Sequence, residues 1–217
     1  MSKLIVYSGG MDSTVLLHEQ ARSIRMAVSF DYGSKHSQAE YECAKYQTDL
    51  LNIPLLRIPL GFIAEHFQSH LLTGGGEIPD GHYTDPVMRQ TVVPFRNGIM
   101  LAVACGLAES QSLEAVLLAN HAGDHPIYPD CRPAFVNAMA EAMRTGTYEG
   151  IRLESPFVEL DKREIARRGR SLGVDFAHTW SCYKGHDLHC GRCGTCVERQ
   201  EALAGFDPTQ YQQKLES

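Results

Sequence analysis

The chain opens with a short apolar run, Leu4 to Tyr7, that passes directly into Ser8-Gly9-Gly10-Met11-Asp12-Ser13 and then Thr14-Val15-Leu16-Leu17. This order reads as a buried strand, a glycine turn and the first turn of a helix. A strand that turns at once into a helix is the start of a βαβ unit. The junction also suits an anion. The first N–H groups of a helix lack intrahelical acceptors and carry the positive end of its dipole. Gly9 and Gly10 permit close backbone approach and positive φ, and Ser8 and Ser13 add hydroxyl donors. The spacing lacks the third glycine of a dinucleotide fingerprint and the lysine that Walker A places before its Ser/Thr. A plain βα turn capped by Asp12 or Ser13 is the competing reading.

A second signal lies near the other end. Cys182, Cys190, Cys193 and Cys196 form C-x7-C-x2-C-x2-C. Two short spacings let the thiolates meet one tetrahedral ion, so a structural Zn2+ is expected. Gly185, Gly191 and Gly194 supply turns, and His186 and His189 are alternative ligands. Disulfides compete with this reading. Met1-Ser2-Lys3 leads straight into the first strand, so no secretory leader is expected. Seven cysteines then imply a reducing cytoplasm. Cys43 and Cys105 fall in helical apolar patterns and read as core.

No apolar run approaches the roughly twenty residues of a membrane span. The net charge of −6 argues against generic nucleic-acid binding. A length of 217 residues with 43% apolar content suits one α/β domain with an appendage. The expected division is 1–175 for the α/β domain and 176–217 for the cysteine-bearing appendage, in one compact unit.

Strand and helix patterns alternate. Strands are predicted at Leu4–Tyr7, Met26–Phe30, Leu55–Ile58, Ala115–Leu118 and Ile151–Leu153. Helices are predicted at Ser13–Ser23, Ser37–Leu51, Asn97–Glu109, Arg132–Arg144 and Asp161–Leu172, with a short amphipathic helix over 61–72. Residues 73–95 read as irregular. The pattern predicts a five-stranded, mostly parallel sheet with helices on both faces. Ligands of such sheets collect beyond the carboxyl ends of the strands.

Polar clusters follow the strands. After the glycine loop come Asp31-Tyr32-Gly33-Ser34-Lys35-His36, Val93-Pro94-Phe95-Arg96-Asn97, Asn120-His121-Ala122-Gly123-Asp124-His125 with Tyr128-Pro129-Asp130-Cys131-Arg132, and Leu160-Asp161-Lys162-Arg163-Glu164. Arg96, Lys35 and Lys162 are candidate phosphate cations, and Asp124 and Asp130 candidate base-reading carboxylates. Each has a bland alternative: Arg96-Asn97 as a helix start, Lys162 as a solvated charge, His121 and His125 as structural residues.

S-G-G-x-D-S resembles the pyrophosphate loop of enzymes that split ATP between its α- and β-phosphates. In order along the chain, S-G-G-x-D-S, D-Y-G-x-x-H, V-P-x-R-N, Y-P-D-C-R and C-Y-x-G with the cysteine quartet resemble the 7-cyano-7-deazaguanine synthase family of the queuosine pathway. The resemblance runs from Ser8 to about Arg199. It implies a Rossmann-like nucleotide-α-hydrolase fold, a structural zinc and a homodimer. It also implies ATP-dependent conversion of 7-carboxy-7-deazaguanine and ammonia to the nitrile. Two departures stand out. Phe95 occupies a position where glycine is more usual, and His121-Ala122-Gly123-Asp124-His125 replaces a commonly acidic stretch.

On this reading Ser8, Gly9, Gly10, Met11, Asp12, Ser13 and Thr14 hold the nucleotide, with Asp31, Tyr32, Lys35 and His36 beside them. Asp12, Ser13, Lys162 and Arg96 serve the chemistry, and Asp12 either orients loop amides or helps bind Mg2+. Arg96, Asn97, His121, Asp124, Tyr128, Asp130, Tyr183 and Lys184 meet the substrate. The deazaguanine edge presents two donors, which one carboxylate, Asp130 or Asp124, can accept together. Two alternatives remain at this stage. One is another pyrophosphate-loop enzyme, either a deazaguanine-to-protein ligase or a tRNA-modifying enzyme. The other is a non-catalytic zinc-knuckle module.

Overall fold

The computed structural model describes residues 2–82 and 86–213. Five strands form one sheet: β1 (Lys3–Val6), β2 (Ile24–Asp31), β3 (Leu55–Pro59), β4 (Ala115–Leu117) and β5 (Arg152–Glu154). Their order is β3-β2-β1-β4-β5, and every adjacent pair is parallel. The helices are α1 (Met11–Gln20), α2 (Ser37–Leu51), α3 (Phe62–His66), α4 (Arg96–Ser110), α5 (Pro133–Thr145), α6 (Lys162–Ser171) and α7 (Gly194–Ala202).

Alternation along each strand divides the core in two. Leu4, Val28 and Val116 face a layer that includes Leu101, Ala104 and Ala108 of α4. Ile5, Ala27 and Leu117 face a layer with Val15 and Leu16 of α1 and Ile165 and Ala166 of α6. The strands read as continuous apolar runs because both faces are covered. The four clustered cysteines pack into the α4 layer. Among the described residues no helix is long and apolar enough to cross a membrane.

The strand order has a physical consequence. From β1 the chain winds outward through β2 and β3, then returns to β4 on the other side. Connections therefore diverge at β1 and leave a crevice beyond its carboxyl end.

Three expectations need correction. The helix predicted over 61–72 stops at His66, and Phe67 is extended at φ −102°, ψ 155°. The following residues pair instead with the turn after β2: Lys35 N–H donates to the Leu71 carbonyl at 3.0 Å, and Thr73 N–H to the Gly33 carbonyl at 2.8 Å. Within the stretch read as irregular, Pro86–Thr91 is a 3-10 helix, and residues 83–85 lie outside the described residues. Finally, α1 begins at Met11 with Gly10 as its N-cap, so neither Asp12 nor Ser13 is the cap.

Candidate active site

The β1–α1 turn is built around two glycines. Gly9 has φ +85°, and a Cβ there would lie 2.2 Å from the Glu40 carbonyl oxygen of α2. Glycine is required on both counts. Gly10 N–H donates to Ser8 Oγ at 3.1 Å, and Ser13 Oγ donates to the Gly10 carbonyl at 3.1 Å. Behind the turn, Tyr7 and Thr14 hydroxyls meet at 2.9 Å and lock the strand to the helix. No side chain caps α1, so its first amides face the crevice without an intrahelical acceptor.

A cavity of about 210 Å3 opens over this turn. One end is a charge cluster. Lys162 Nζ, at the start of α6, lies 2.7 Å from Glu198 Oε2 of α7 and 3.2 Å from Asp12 Oδ2. His121 Nε2 lies 3.7 Å from Asp12 Oδ2 and 3.6 Å from Asp124 Oδ1. His121 Nδ1 accepts the Gly123 N–H at 3.1 Å, which turns Nε2 toward the carboxylates. Burial opposes the Lys162 charge, but Asp12, Glu198 and Asp124 together outweigh it and raise its pKa. Burial raises the Glu198 carboxyl in turn. Asp12 Oδ1 is buried with no hydrogen-bond partner. That atom is an acceptor left unused in the first turn of α1.

The other end is aromatic and carries Arg96. Its guanidinium donates to the Tyr32 hydroxyl at 3.0 Å and lies over that ring at 5.4 Å. Tyr183 stacks on His36 with centroids 5.4 Å apart and shares a hydroxyl contact with Tyr128 at 3.1 Å. Glu40 of α2 also lines the cavity. Its Oε2 is 3.6 Å from His36 Nε2. Burial pushes the Glu40 carboxyl up to about 8, and burial beside Arg96 pushes His36 down to about 3.

These opposite shifts predict a pH signature. Folded Glu40 holds its proton up to about pH 8, whereas its ordinary value is 4.5, so its contribution is fully present below 4.5 and is lost as pH rises to 8. His36 does the reverse: its contribution is present above its ordinary value of 6.5 and is lost as pH falls toward 3. The two slopes oppose each other at intermediate pH, and only the Glu40 slope remains above neutrality. Glu40→Gln should therefore flatten the loss of stability on the alkaline side by about 1–2 kcal/mol. Urea unfolding of both proteins at mildly acidic and mildly alkaline pH measures it, and equal slopes would remove the assignment.

The structure brings Ser8, Gly10, Met11, Asp12, Ser13, Tyr32, His36, Arg96, Asn97, Asp124, Tyr128, Lys162 and Tyr183 to one cavity. It places other expected residues elsewhere. Asp31 accepts from Arg57 at 2.8 Å and Ser37 at 2.9 Å, which ties β2 to β3 and α2. Lys35 Nζ donates to the carbonyls of Gly75 and Gly76, and Lys184 pairs with Asp80 at 2.6 Å. Asp130 Oδ2 accepts the Asn97 N–H at 2.8 Å, so it caps the amino end of α4. Glu40, Glu198 and Trp180 line or flank the cavity and were not singled out from the sequence.

The cysteine quartet meets the geometric test for zinc. All four Sγ atoms lie within 4.8 Å of one another and are buried. A Zn–S bond of about 2.3 Å implies S···S edges of about 3.8 Å in a tetrahedron. Cys190 and Cys196 Sγ are 3.9 Å apart. Cys190, Arg192 and Cys193 N–H groups donate to Sγ atoms at 3.3–3.4 Å, an arrangement that favours thiolates. The segment entering the quartet is tied to the glycine turn. Trp180 N–H donates to the Gly9 carbonyl at 3.0 Å, and its indole N–H to the Cys182 carbonyl at 2.7 Å.

Comparison with known proteins agrees with this geometry. Residues 2–207 match the family described as Queuosine biosynthesis protein QueC. The chain belongs to the QueC family. A Porphyromonas gingivalis protein named 7-cyano-7-deazaguanine synthase is 57% identical over 212 residues, covering 96% of each chain. A protein of the same name from Desulfotalea psychrophila is 53% identical over 216 residues, covering 97% of this chain and 99% of its own. One from Caldicellulosiruptor bescii is 46% identical over 222 residues, covering the whole of both.

One departure of this QueC member now has a cause. Phe95 adopts φ +54°, a conformation that favours glycine. Its ring packs edge-on against Phe135, with centroids 5.7 Å apart, and lies over Gly98, where a Cβ would be 2.2 Å from Phe95 Cε1. The strained backbone is offset by an aromatic contact that glycine could not make.

Proposed function

We propose that this chain is an ATP-dependent carbon–nitrogen ligase that converts 7-carboxy-7-deazaguanine and ammonia to 7-cyano-7-deazaguanine. The uncapped start of α1 beside Lys162 carries the reading, because it offers amides and a cation where pyrophosphate must leave. The QueC match and the names of the relatives support it.

A carboxylate resists ammonia because its leaving group would be oxide. Attack of a substrate carboxylate oxygen on the α-phosphorus of ATP expels pyrophosphate and gives an acyl adenylate. The chain's task there is alignment and neutralisation of the departing charge. Ser8, Ser13 and the α1 amides receive the pyrophosphate, and Lys162 balances it. Ammonia then adds to the acyl carbon, AMP leaves, and a proton is lost to give the amide. The amide oxygen attacks a second ATP in the same way. Loss of AMP and of both N–H protons gives the nitrile. Asp12 is the residue that would hold Mg2+, which would supply further charge neutralisation on the phosphates. The cysteine quartet would hold a structural zinc, which calls for a reducing compartment such as the cytoplasm. The family resemblance assigns a homodimer.

Of the two carboxylates considered for the deazaguanine edge, Asp124 lines the cavity, whereas Asp130 caps α4. We therefore assign the edge to Asp124. Asp124→Asn should weaken deazaguanine binding by about 2–5 kcal/mol and ATP binding by less. Asp130→Asn should instead lower the unfolding midpoint. The opposite pair of results, read by calorimetry and thermal melting, would exchange the two roles.

The activity itself is tested with purified protein, ATP, ammonium and the carboxydeazaguanine, following AMP and nitrile together. Two AMP per nitrile is the expected ratio. ADP as product would overturn the α-phosphate chemistry, and a deazaguanine–protein adduct in place of the nitrile would point to a different acceptor.

A further inference from the structure

Lys162 is held by residues that the reaction alone would not require. Its ammonium is a point charge on a flexible four-carbon stem, and such a group samples many rotamers unless it is fixed. Two carboxylates from different elements hold it here, Glu198 Oε2 at 2.7 Å and Asp12 Oδ2 at 3.2 Å. Lys162 is 10% and Glu198 15% exposed, so solvent screens the contact little.

Glu198 has no freedom to follow the lysine. It lies on α7, whose N-cap is Cys193 and whose first turn contains Cys196. The next residue, Arg199, is fully buried. Its guanidinium donates to Thr209 Oγ1 and Thr179 Oγ1 at 2.9 Å, to Ser181 Oγ at 3.1 Å and to the Phe176 carbonyl at 2.6 Å. The cysteine quartet at one end and this clasp in the middle fix the rotation of α7. The 121–125 stretch makes room for the carboxylate: a Cβ on Gly123 would lie 2.9 Å from Glu198 Oε1.

We infer that Glu198 is a positioning residue that aims the Lys162 ammonium at the phosphate end of the cavity, and that α7 thereby couples the cysteine quartet to that end. The inference rests on the reading above in which Lys162 meets phosphate. Glu198 itself touches neither substrate nor reacting atoms. Its effect falls on how well the lysine is placed when pyrophosphate departs, and so on kcat more than on KM.

The test uses the zinc-loaded full chain, with AMP formation expressed per bound zinc so that any loss of metal is divided out. Glu198→Gln keeps the shape and removes the charge. Its kcat should fall about tenfold or more while KM for ATP stays within about threefold. Glu198→Asp keeps the charge one methylene further back and should restore part of that loss. In a Lys162→Met background, Glu198→Gln should add no further loss, because its action runs through the lysine. An unchanged zinc-normalised kcat in Glu198→Gln, with Lys162→Met impaired yet measurable, would overturn the coupling and leave the role of Lys162 standing. An equal further loss in the Lys162→Met background would also overturn it. Full AMP formation by Lys162→Met would overturn the phosphate role of the lysine and, with it, this inference.

Discussion

Cys193→Ala is expected to emerge without zinc, poorly soluble and inactive, the three losses occurring together. A closed four-thiolate site has no open position for water, so it cannot supply a nucleophile. Its contribution is to folding, and metal-binding energy in such a site is folding energy. Cys193 is the N-cap of α7, and its buried Sγ sits within the quartet. Its loss therefore frees α7, the Trp180 contact to the glycine turn and the buried Arg199 clasp. Metal analysis, sedimentation and the AMP assay on one preparation check the result. A folded, zinc-bound Cys193→Ala protein that lost only turnover would make the site catalytic. X-ray absorption would then show nitrogen or water in the first shell.

Asp12→Ala is expected to lose AMP formation by about two to three orders of magnitude with the fold intact. Asp12 lies in the first turn of α1, inside the cap, and one of its oxygens is buried without a partner. Removing the carboxylate leaves Lys162 paired with Glu198, so no charge is stranded. The packing of Val15 and Leu16 behind it is untouched. Ser13→Ala should lose less, because it removes a hydroxyl that joins Ser8 Oγ to the Gly10 carbonyl rather than a charge. Normal AMP production by Asp12→Ala with full zinc content would refute the pyrophosphate-loop assignment.

What could be read from the sequence was local. The β1–α1 turn and the cysteine quartet each specify their geometry within fifteen or so residues, through glycine and thiolate spacing. The parallel sheet was legible because strands covered on both faces read as apolar runs between helical patterns. The helix over 61–72 misled because Phe62, Ile63, Phe67 and Leu71 mimic an amphipathic stripe, while Leu71 and Leu72 are buried by pairing with the turn after β2. Asp31 and Asp130 read as ligand contacts in the sequence. Their carboxylates also satisfy Arg57 and an early amide of α4, needs that no linear pattern displays. Glu40 and Glu198 were missed for the converse reason. Each is an ordinary helix glutamate until the fold brings it to the cavity. Only their positions, four residues after His36 and two after Cys196, hinted at more.

The contact between Trp180 and Gly9 bears on how the protein is made. The glycine turn is translated well before α7, and β2, its early partner, follows closely. The far wall of the same cavity waits for Lys162, Trp180 and α7, far downstream in the sequence. A nascent chain therefore carries the glycine turn for a time without the lysine, the Trp180 contact or α7. On the proposed function, the nucleotide site is complete only once α7 has docked, after the cysteine quartet has been made.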